Sequence, residues 1–234
     1  MLIPAHYAML NTAYACTQLP DKRGEEEWHG FSRVYVYGTD GRVNICAIDG
    51  SLAVRISYKY YEELEGFAPF SMLLNKQHLA NLKDQFLTIN SKWHDIKGRM
   101  MTDIEGDGRS NCLVTVHVPA DDSFLDRIEW FEKKFFPSNI EELCATTAAV
   151  NLHVDVLNKL APNQYGWKNV LRPQDNHFDT MRIRPVRHNG TGVCDGSGIF
   201  YVTYPAVDIP GVYHDLRIEQ VFMGWAMTNV IVKE

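Results

Sequence analysis

The stretch from Gly38 to Tyr58 constrains the fold more than any other part of the chain. It contains two turns, Gly38–Gly41 and Asp49-Gly50, in which Asp and Gly tolerate the positive φ angles of short hairpins. After each turn, apolar residues recur at every second position, as in a strand with one buried face. They are Val43, Ile45 and Ala47, then Leu52, Val54 and Ile56. The stretch therefore predicts a β-meander with one face against a core.

Three helices are predicted around this meander. The first spans Pro4–Leu19 and ends before Pro20, which cannot continue a helix. The second spans Ser71–Asp84, and the third spans Asn151–Leu160 with Asn151 as its N-cap. A short helix capped by Asp121-Asp122-Ser123 is also predicted in the connector, and most of the remaining periodic segments alternate like strands. The chain is therefore predicted to be an α+β protein.

A weak internal repeat divides the chain. Leu74–Leu79 resembles Val150–Val154, because each has an apolar residue, then an Asn, then the start of a short amphipathic helix. Asp49-Gly50-Ser51 also recurs as Asp195-Gly196-Ser197. We therefore predict two related units, residues 1–118 and 145–234, joined by a connector over residues 119–144. The second unit is shortened.

Composition excludes several classes of protein. The 234 residues carry a formal net charge of −6, which argues against a protein that coats nucleic acid with its whole surface. No apolar run approaches the ~20 residues of a membrane span. Five scattered cysteines form no CxxC pair. This pattern predicts a cytoplasmic protein with reduced thiols, no structural zinc and no membrane contact.

No motif for catalysis or cofactor binding is recognisable. The nucleophile elbow, the P-loop and the dinucleotide fingerprint are missing from the sequence. We therefore predict a protein that is not an enzyme and has no cofactor. The best metal-like cluster is Asp175, His177 and Asp179, which keeps a metal-dependent hydrolase open as an alternative. The other interpretation of this cluster is a polar loop.

The basic residues are more informative by position. Lys76, Lys83 and Lys159 lie on predicted helices, and Lys168 and Arg172 lie just beyond the third helix. If the helices share one surface, that surface is positive within an acidic protein. The alternative is an ordinary solvated helix face.

Several segments resemble a known family, the bacterial DNA polymerase sliding clamps. Ile48–Arg55 resembles the strand-turn-strand that reads TDG-x-x-LAVR in the family. Val150–Leu160 resembles the helix of the last clamp domain, and Val221–Met227 resembles the closing strand. Asp122–Arg127 stands where the family has its crossover. The resemblance implies an α+β fold of two clamp-like units, each an antiparallel sheet with packed helices, the second shortened.

The resemblance also implies a function. Clamps are rings that encircle duplex DNA without reading its sequence and tether DNA polymerase or another replication protein. The length is closer to the two-domain clamps of phages, archaea and eukaryotes, which implies a homotrimer and suggests a phage or mobile-element origin. The DNA-binding candidates are Lys76, Lys83, Lys159, Lys168 and Arg172. The partner-binding candidates are Met223, Trp225 and Met227.

A second hypothesis uses the same fold differently. The shortened second unit and the absence of basic residues in the first helix favour an interaction or regulatory protein that does not encircle DNA. It would bind a replication or transcription protein as a monomer or dimer. The molecular mass in solution separates this hypothesis from a closed ring.

Overall fold

The fold is described from a computed structural model of the chain. The described residues are 2–16, 34–39, 41–48, 52–59, 70–83, 85–100, 114–118, 122–144, 147–150, 158–160, 182–186, 199–209, 213–223 and 230–232. They include 14 strands and 4 helices.

The first half of the chain is a repeated strand-helix-strand-strand-strand unit. The first repeat consists of β1 (Leu2–His6), α1 (Tyr7–Cys16), β2 (Val34–Thr39), β3 (Arg42–Ile48) and β4 (Leu52–Lys59). The second consists of β5 (Phe70–Leu74), α2 (Lys76–Asn81), β6 (Gln85–Asn90), β7 (Asp95–Met100) and β8 (Val114–His117). The strands of the meander predicted from Gly38 to Tyr58 are confirmed, and Gly41 has the expected positive φ, 71°. The predicted turn at Asp49-Gly50 lies outside the described residues.

The two repeats exchange their first strands. Strand β1 pairs with β6 of the second repeat, and β5 pairs with β2 of the first, both antiparallel. The result is a four-stranded sheet in the order β1-β6-β7-β8, here called sheet A, and a larger sheet, here called sheet B, that contains β5-β2-β3-β4. Neither repeat can therefore complete its sheet without the other.

The rest of the chain extends sheet B. Its elements are α3 (Asp122–Phe135), α4 (Ile140–Leu143), β9 (Thr147–Val150), β10 (Arg182–Val186), β11 (Ile199–Thr203), β12 (Val207–Ile209), β13 (Tyr213–Met223) and β14 (Val230–Val232). Strand β13 pairs antiparallel with β4, so sheet B runs β10-β11-β13-β4-β3-β2-β5, with β12 also on β13. A separate pair is formed by β9 and β14.

The predicted class is confirmed: the chain is α+β with antiparallel sheets and a few packed helices. Beyond the connector, the described residues contain six strands, against eight in residues 2–118, and the shortening of the second unit stays a prediction. The exact unit boundaries remain predictions, because β4 and β13 join strands from both units in one sheet.

Two predicted helices begin too early. The prediction of helix at Pro4–His6 was wrong, because these residues lie in β1 and pair with β6. The prediction of helix at Ser71–Leu74 was also wrong, because these residues lie in β5 and pair with β2. In both cases, pairing with a distant strand outweighs local helix propensity. Most of the third predicted helix lies outside the described residues. Of its described residues, 158–160, Asn158 is helical.

Sheet B has an apolar core on each face. The first core joins its inner face to sheet A and to the helices, through residues such as Met9 and Leu10 of α1, Leu79 of α2 and Leu160. The second core lies on the outer face, where α3 and α4 cover Tyr35, Tyr37, Cys46, Ala53, Tyr201 and Val221. The connector is thus a packed layer of the fold.

Candidate nucleic-acid and partner interfaces

Helix α2 presents two of the predicted DNA-binding lysines. Asn75 caps the helix, since its side chain accepts a hydrogen bond from the His78 amide at 2.9 Å and its own amide donates to His78 Nδ1. Lys76 is the first helical residue, and Lys83 follows the C-cap residue Leu82. Both lysines are exposed. In the described part of the chain no carboxylate pairs with either ammonium, so both charges face solvent.

Helix α1 has a different character. Its ten residues, Tyr7–Cys16, include no charged side chain. Met9, Leu10 and Ala13 are fully buried, and Asn11 and Tyr14 are partly exposed. As the sequence predicts, the helix carries no basic residue. Helix α1 therefore offers no cation to a phosphate.

Lys159 lies at a junction between the helical turn and sheet B. Its backbone carbonyl accepts a hydrogen bond from Gln220 Nε2 at 2.9 Å, and Gln220 Oε1 accepts one from the Tyr204 hydroxyl at 3.0 Å. Gln220 is buried, and Lys159 is partly exposed. This contact fixes the backbone at Lys159 on β13.

The other predicted site residues are described in part or not at all. Met223 is the last residue of β13 and pairs with Ile199 of β11. Trp225 and Met227 lie outside the described residues. So do Lys168 and Arg172, and so does the metal-like cluster Asp175, His177 and Asp179.

The strongest electrostatic feature surrounds Arg55 on the outer face of sheet B. Its guanidinium forms ion pairs with Glu132 of α3 and with Glu219 of β13, the latter with Nε–Oε2 at 2.8 Å. The guanidinium also lies 4.4 Å from the centroid of the Phe136 ring. One arginine thus joins β4, β13 and α3.

Two tyrosines complete this network. The Tyr37 hydroxyl donates to Glu132, and the Tyr201 hydroxyl donates to Glu219. Burial opposes the charged form of Arg55, but the charges of Glu219 and Glu132 outweigh burial and raise the pKa of Arg55. Burial, together with the nearby Cys46 and Glu132, raises the pKa of Tyr37. The network therefore holds a fixed positive charge between two carboxylates.

Sequence analysis missed this network. The sequence places Arg55 in the predicted meander but does not reveal that its partners are Glu132 and Glu219. Arg55 and Glu219 face each other only because β4 pairs with β13. No local spacing relates these two positions, so only knowledge of the strand order would have revealed the pair.

A second ionic cluster lies further along the same face. Asp215 has a positive φ of 52° and accepts hydrogen bonds from Arg42 and Arg217, each at 2.8 Å. Burial raises the pKa of Asp215, but the hydrogen bonds from Arg217 and Arg42 outweigh burial and lower it. This cluster ties β3 to β13, whereas the Arg55 network ties β4 to β13.

Within the described ranges, no group of three or more His, Cys, Asp or Glu side chains is placed to hold a metal ion. No helix among those residues is long and apolar enough to cross a membrane.

Comparison with solved structures returns bacterial sliding clamps. The DNA polymerase III beta subunit from Thermotoga maritima is 12% identical, with a TM-score of 0.43, over 100% of this chain and 65% of that one. The DNA polymerase sliding clamp from Pseudomonas aeruginosa is 9% identical, with a TM-score of 0.43, over 95% and 66%. The chain is similar to bacterial sliding clamps. This is the family that its sequence resembles.

A third structure is that of the Helicobacter pylori beta clamp bound to a DNA ligase peptide. It is 13% identical, with a TM-score of 0.37, over 93% of this chain and 55% of that one. The chain therefore spans about 65% or less of the length of several of these clamps. No family model matches the sequence, and no curated protein matches it.

Proposed function

We propose that the chain is a non-enzymatic DNA-tethering protein of the sliding-clamp type. In this proposal its helix side contacts duplex DNA without sequence readout, and another surface holds DNA polymerase or another replication protein. The observation that carries the proposal is the arrangement of the helices. Residues of α1, α2 and the turn at Leu160 pack into one core, and the polar side of α2 exposes Lys76 and Lys83.

The electrostatics are consistent with non-specific DNA contact. Lysine ammonium groups bind phosphates as point charges and release counterions, which supplies affinity without sequence specificity. Lys159, Lys168 and Arg172 are proposed to extend the same surface. The net charge of −6 disfavours DNA contact elsewhere and so directs the duplex to the basic helix side.

The decisive measurement is the salt dependence of duplex binding. Lys76→Glu combined with Lys83→Glu should weaken binding to a short duplex and reduce the slope of log K against log salt by about 2, roughly one unit per lost phosphate contact. The matched control is Lys59→Glu with Lys133→Glu, which makes the same charge change at exposed lysines on β4 and α3. Equal slopes for the two double variants would rule out α2 as the DNA contact.

The partner surface is proposed to lie around Met223, Trp225 and Met227, at and beyond the end of β13. Trp225→Ala should weaken binding of a replication protein, measured by pull-down with the cognate polymerase, without changing duplex affinity. Loss of both activities at once would instead indicate misfolding.

Ring closure is a separate part of the proposal. Two units per chain imply a homotrimer joined head to tail. Light scattering should then give about three times the chain mass of 26.8 kDa.

One observation favours a second function, that of a clamp-fold interaction protein that does not encircle DNA. Helix α1 carries no charged residue, whereas a helix that lines a DNA channel needs cations. This alternative predicts a monomer or dimer in solution and no salt-dependent duplex binding.

A further inference from the structure

Trp93 is the most exposed large apolar side chain in the described part of the chain. It lies in the turn between β6 and β7, at one end of sheet A, with 67% of its surface exposed. An exposed tryptophan indole leaves a large apolar ring surface in water, with a π-face available for contact.

The turn holds Trp93 in a defined position. Asn90 Oδ1 accepts hydrogen bonds from the amides of Lys92 at 3.2 Å and Trp93 at 3.4 Å. His94 adopts a positive φ of 48°, a conformation that a non-glycine residue rarely takes. The His94 carbonyl accepts a hydrogen bond from the Val118 amide at 2.7 Å, which ties the turn to the end of β8. The turn thus presents the indole on a rigid support.

The surroundings of Trp93 are basic. The Lys92 ammonium lies 5.3 Å from the centroid of the Trp93 ring, a cation–π distance. Lys97 follows the turn on β7, and the one carboxylate among the described residues of sheet A and its 91–94 turn, Asp95, is buried. In a protein of net charge −6, this end of sheet A therefore favours an anionic ligand.

We propose that the 91–94 turn binds single-stranded nucleic acid, with one base stacked on Trp93 and the adjacent phosphate bound by Lys92. Base stacking on an exposed aromatic ring beside a cation is how non-specific single-strand binding is generally achieved. The indole ring can stack on any base, so the contact does not depend on the nucleotide sequence.

Other macromolecules fit these residues less well. A membrane anchor needs several apolar side chains together, but the other residues of the turn are Ser91, Lys92 and His94. The core of a protein interface is depleted in lysine, whereas here Lys92 contacts the aromatic ring itself. A single strand uses both the ring and the charge.

The second exposed tryptophan provides an internal control. Trp130 on α3 is 53% exposed, but its ring packs edge-on against Phe135 at 5.9 Å, and the Lys134 ammonium lies 4.7 Å from its centroid. The exposed carboxylate of Glu129 precedes it. Trp130 therefore also has a cation beside its ring, but it offers a smaller free ring surface than Trp93. Trp130→Ala therefore removes an exposed indole without removing the proposed site.

The test is fluorescence anisotropy of a labelled thymidine 12-mer at low salt, with the full chain. Trp93→Ala should raise Kd about tenfold or more, and Trp93→Phe should stay within about threefold of the wild type because a ring is retained. Lys92→Gln should reduce the magnitude of the salt slope by about 0.7, the value for one phosphate of a single strand. Trp130→Ala should leave Kd unchanged.

The inference requires neither a closed oligomeric ring nor contact with duplex DNA. Its test can therefore fail or succeed independently of the proposed function. The Lys76→Glu, Lys83→Glu variant should still bind the 12-mer through Trp93. Equal Kd values for Trp93→Ala and Trp130→Ala would overturn the inference, as would wild-type protein that fails to bind the 12-mer. A Trp93-dependent association with phosphatidylglycerol vesicles, without Trp93-dependent binding of the 12-mer, would identify a membrane contact and also overturn it.

Discussion

At the scale of single residues, Arg55 joins three elements through its two ion pairs. The side chains of Arg55, Glu132 and Glu219 are 20%, 28% and 12% exposed, so the ions are held largely away from water. Removing one partner of such a network leaves the other charges desolvated and uncompensated. The free energy lost when the network is disrupted is therefore larger than the net attraction between its ions.

Replacing Arg55 should be strongly destabilising. Arg55→Met keeps much of the side-chain volume but leaves Glu132 and Glu219 without their cation, and we expect a loss of about 3 kcal/mol in the free energy of unfolding. Lys133→Met breaks only the exposed pair with Glu129 and should cost about 0.5 kcal/mol or less. Urea unfolding measures both. A loss no greater for Arg55→Met than for Lys133→Met would refute the role assigned to the network.

Asp215 makes stability depend on pH in the acid range. Its folded-state pKa lies below the ordinary value of 3.8 because the hydrogen bonds from Arg217 and Arg42 outweigh burial. A carboxylate with a lowered pKa stabilises the fold above its unfolded pKa, and this contribution is lost as the pH falls through its folded pKa. Asp215→Asn should therefore destabilise the protein at pH 7 and have a smaller effect near pH 3.

The control for this prediction is Glu142→Gln, which neutralises an exposed carboxylate on α4. Urea midpoints measured between pH 3 and pH 7 compare the two variants. A destabilisation by Asp215→Asn that is the same at both pH values would show that the lost contribution is not electrostatic.

At the scale of elements, helix α2 is short and depends on its cap. The reciprocal bonds between Asn75 and His78 satisfy amides that the first helical turn leaves unpaired. Asn75→Ala should cost about 1 kcal/mol of stability. Asn139 is the matched control, because it occupies the N-cap of α4 without a side-chain cap bond, and Asn139→Ala should cost much less. Thermal unfolding of the two variants checks the difference.

Elements defined by local chemistry could be predicted from the sequence, whereas those defined by distant pairing could not. The turn at Gly41, the alternation in β3 and β4 and the cap at Asn75 all follow from neighbouring residues. Parts of β1 and β5 were predicted as helix. They are strands because they pair with β6 and β2, which are distant or belong to the other repeat. The same limit applies to the sites: Lys76 and Lys83 could be placed on or beside a helix, but Arg55 and Glu219 could not be paired.

At the scale of the whole molecule, β13 links the strands of residues 2–118 to those near the end of the chain. It pairs with β4 from Leu52 to Lys59, and the Arg55 and Asp215 clusters reinforce that junction. We therefore expect one cooperative unfolding transition, with coincident urea curves from far-ultraviolet circular dichroism and tryptophan fluorescence. Two separated transitions would mean that the units are stable independently.

The exchange of first strands between the repeats has a consequence for synthesis on the ribosome. Leu2 pairs with Asn90, so β1 emerges almost 90 residues before its partner strand. At about 5–20 residues per second, β1 remains without that partner for roughly 5–18 s. Until β6 is made, the nascent chain exposes a strand edge to mispairing with neighbouring chains. Closure of sheet A must therefore wait for the synthesis of β6, and β1 is open to mispairing throughout that interval.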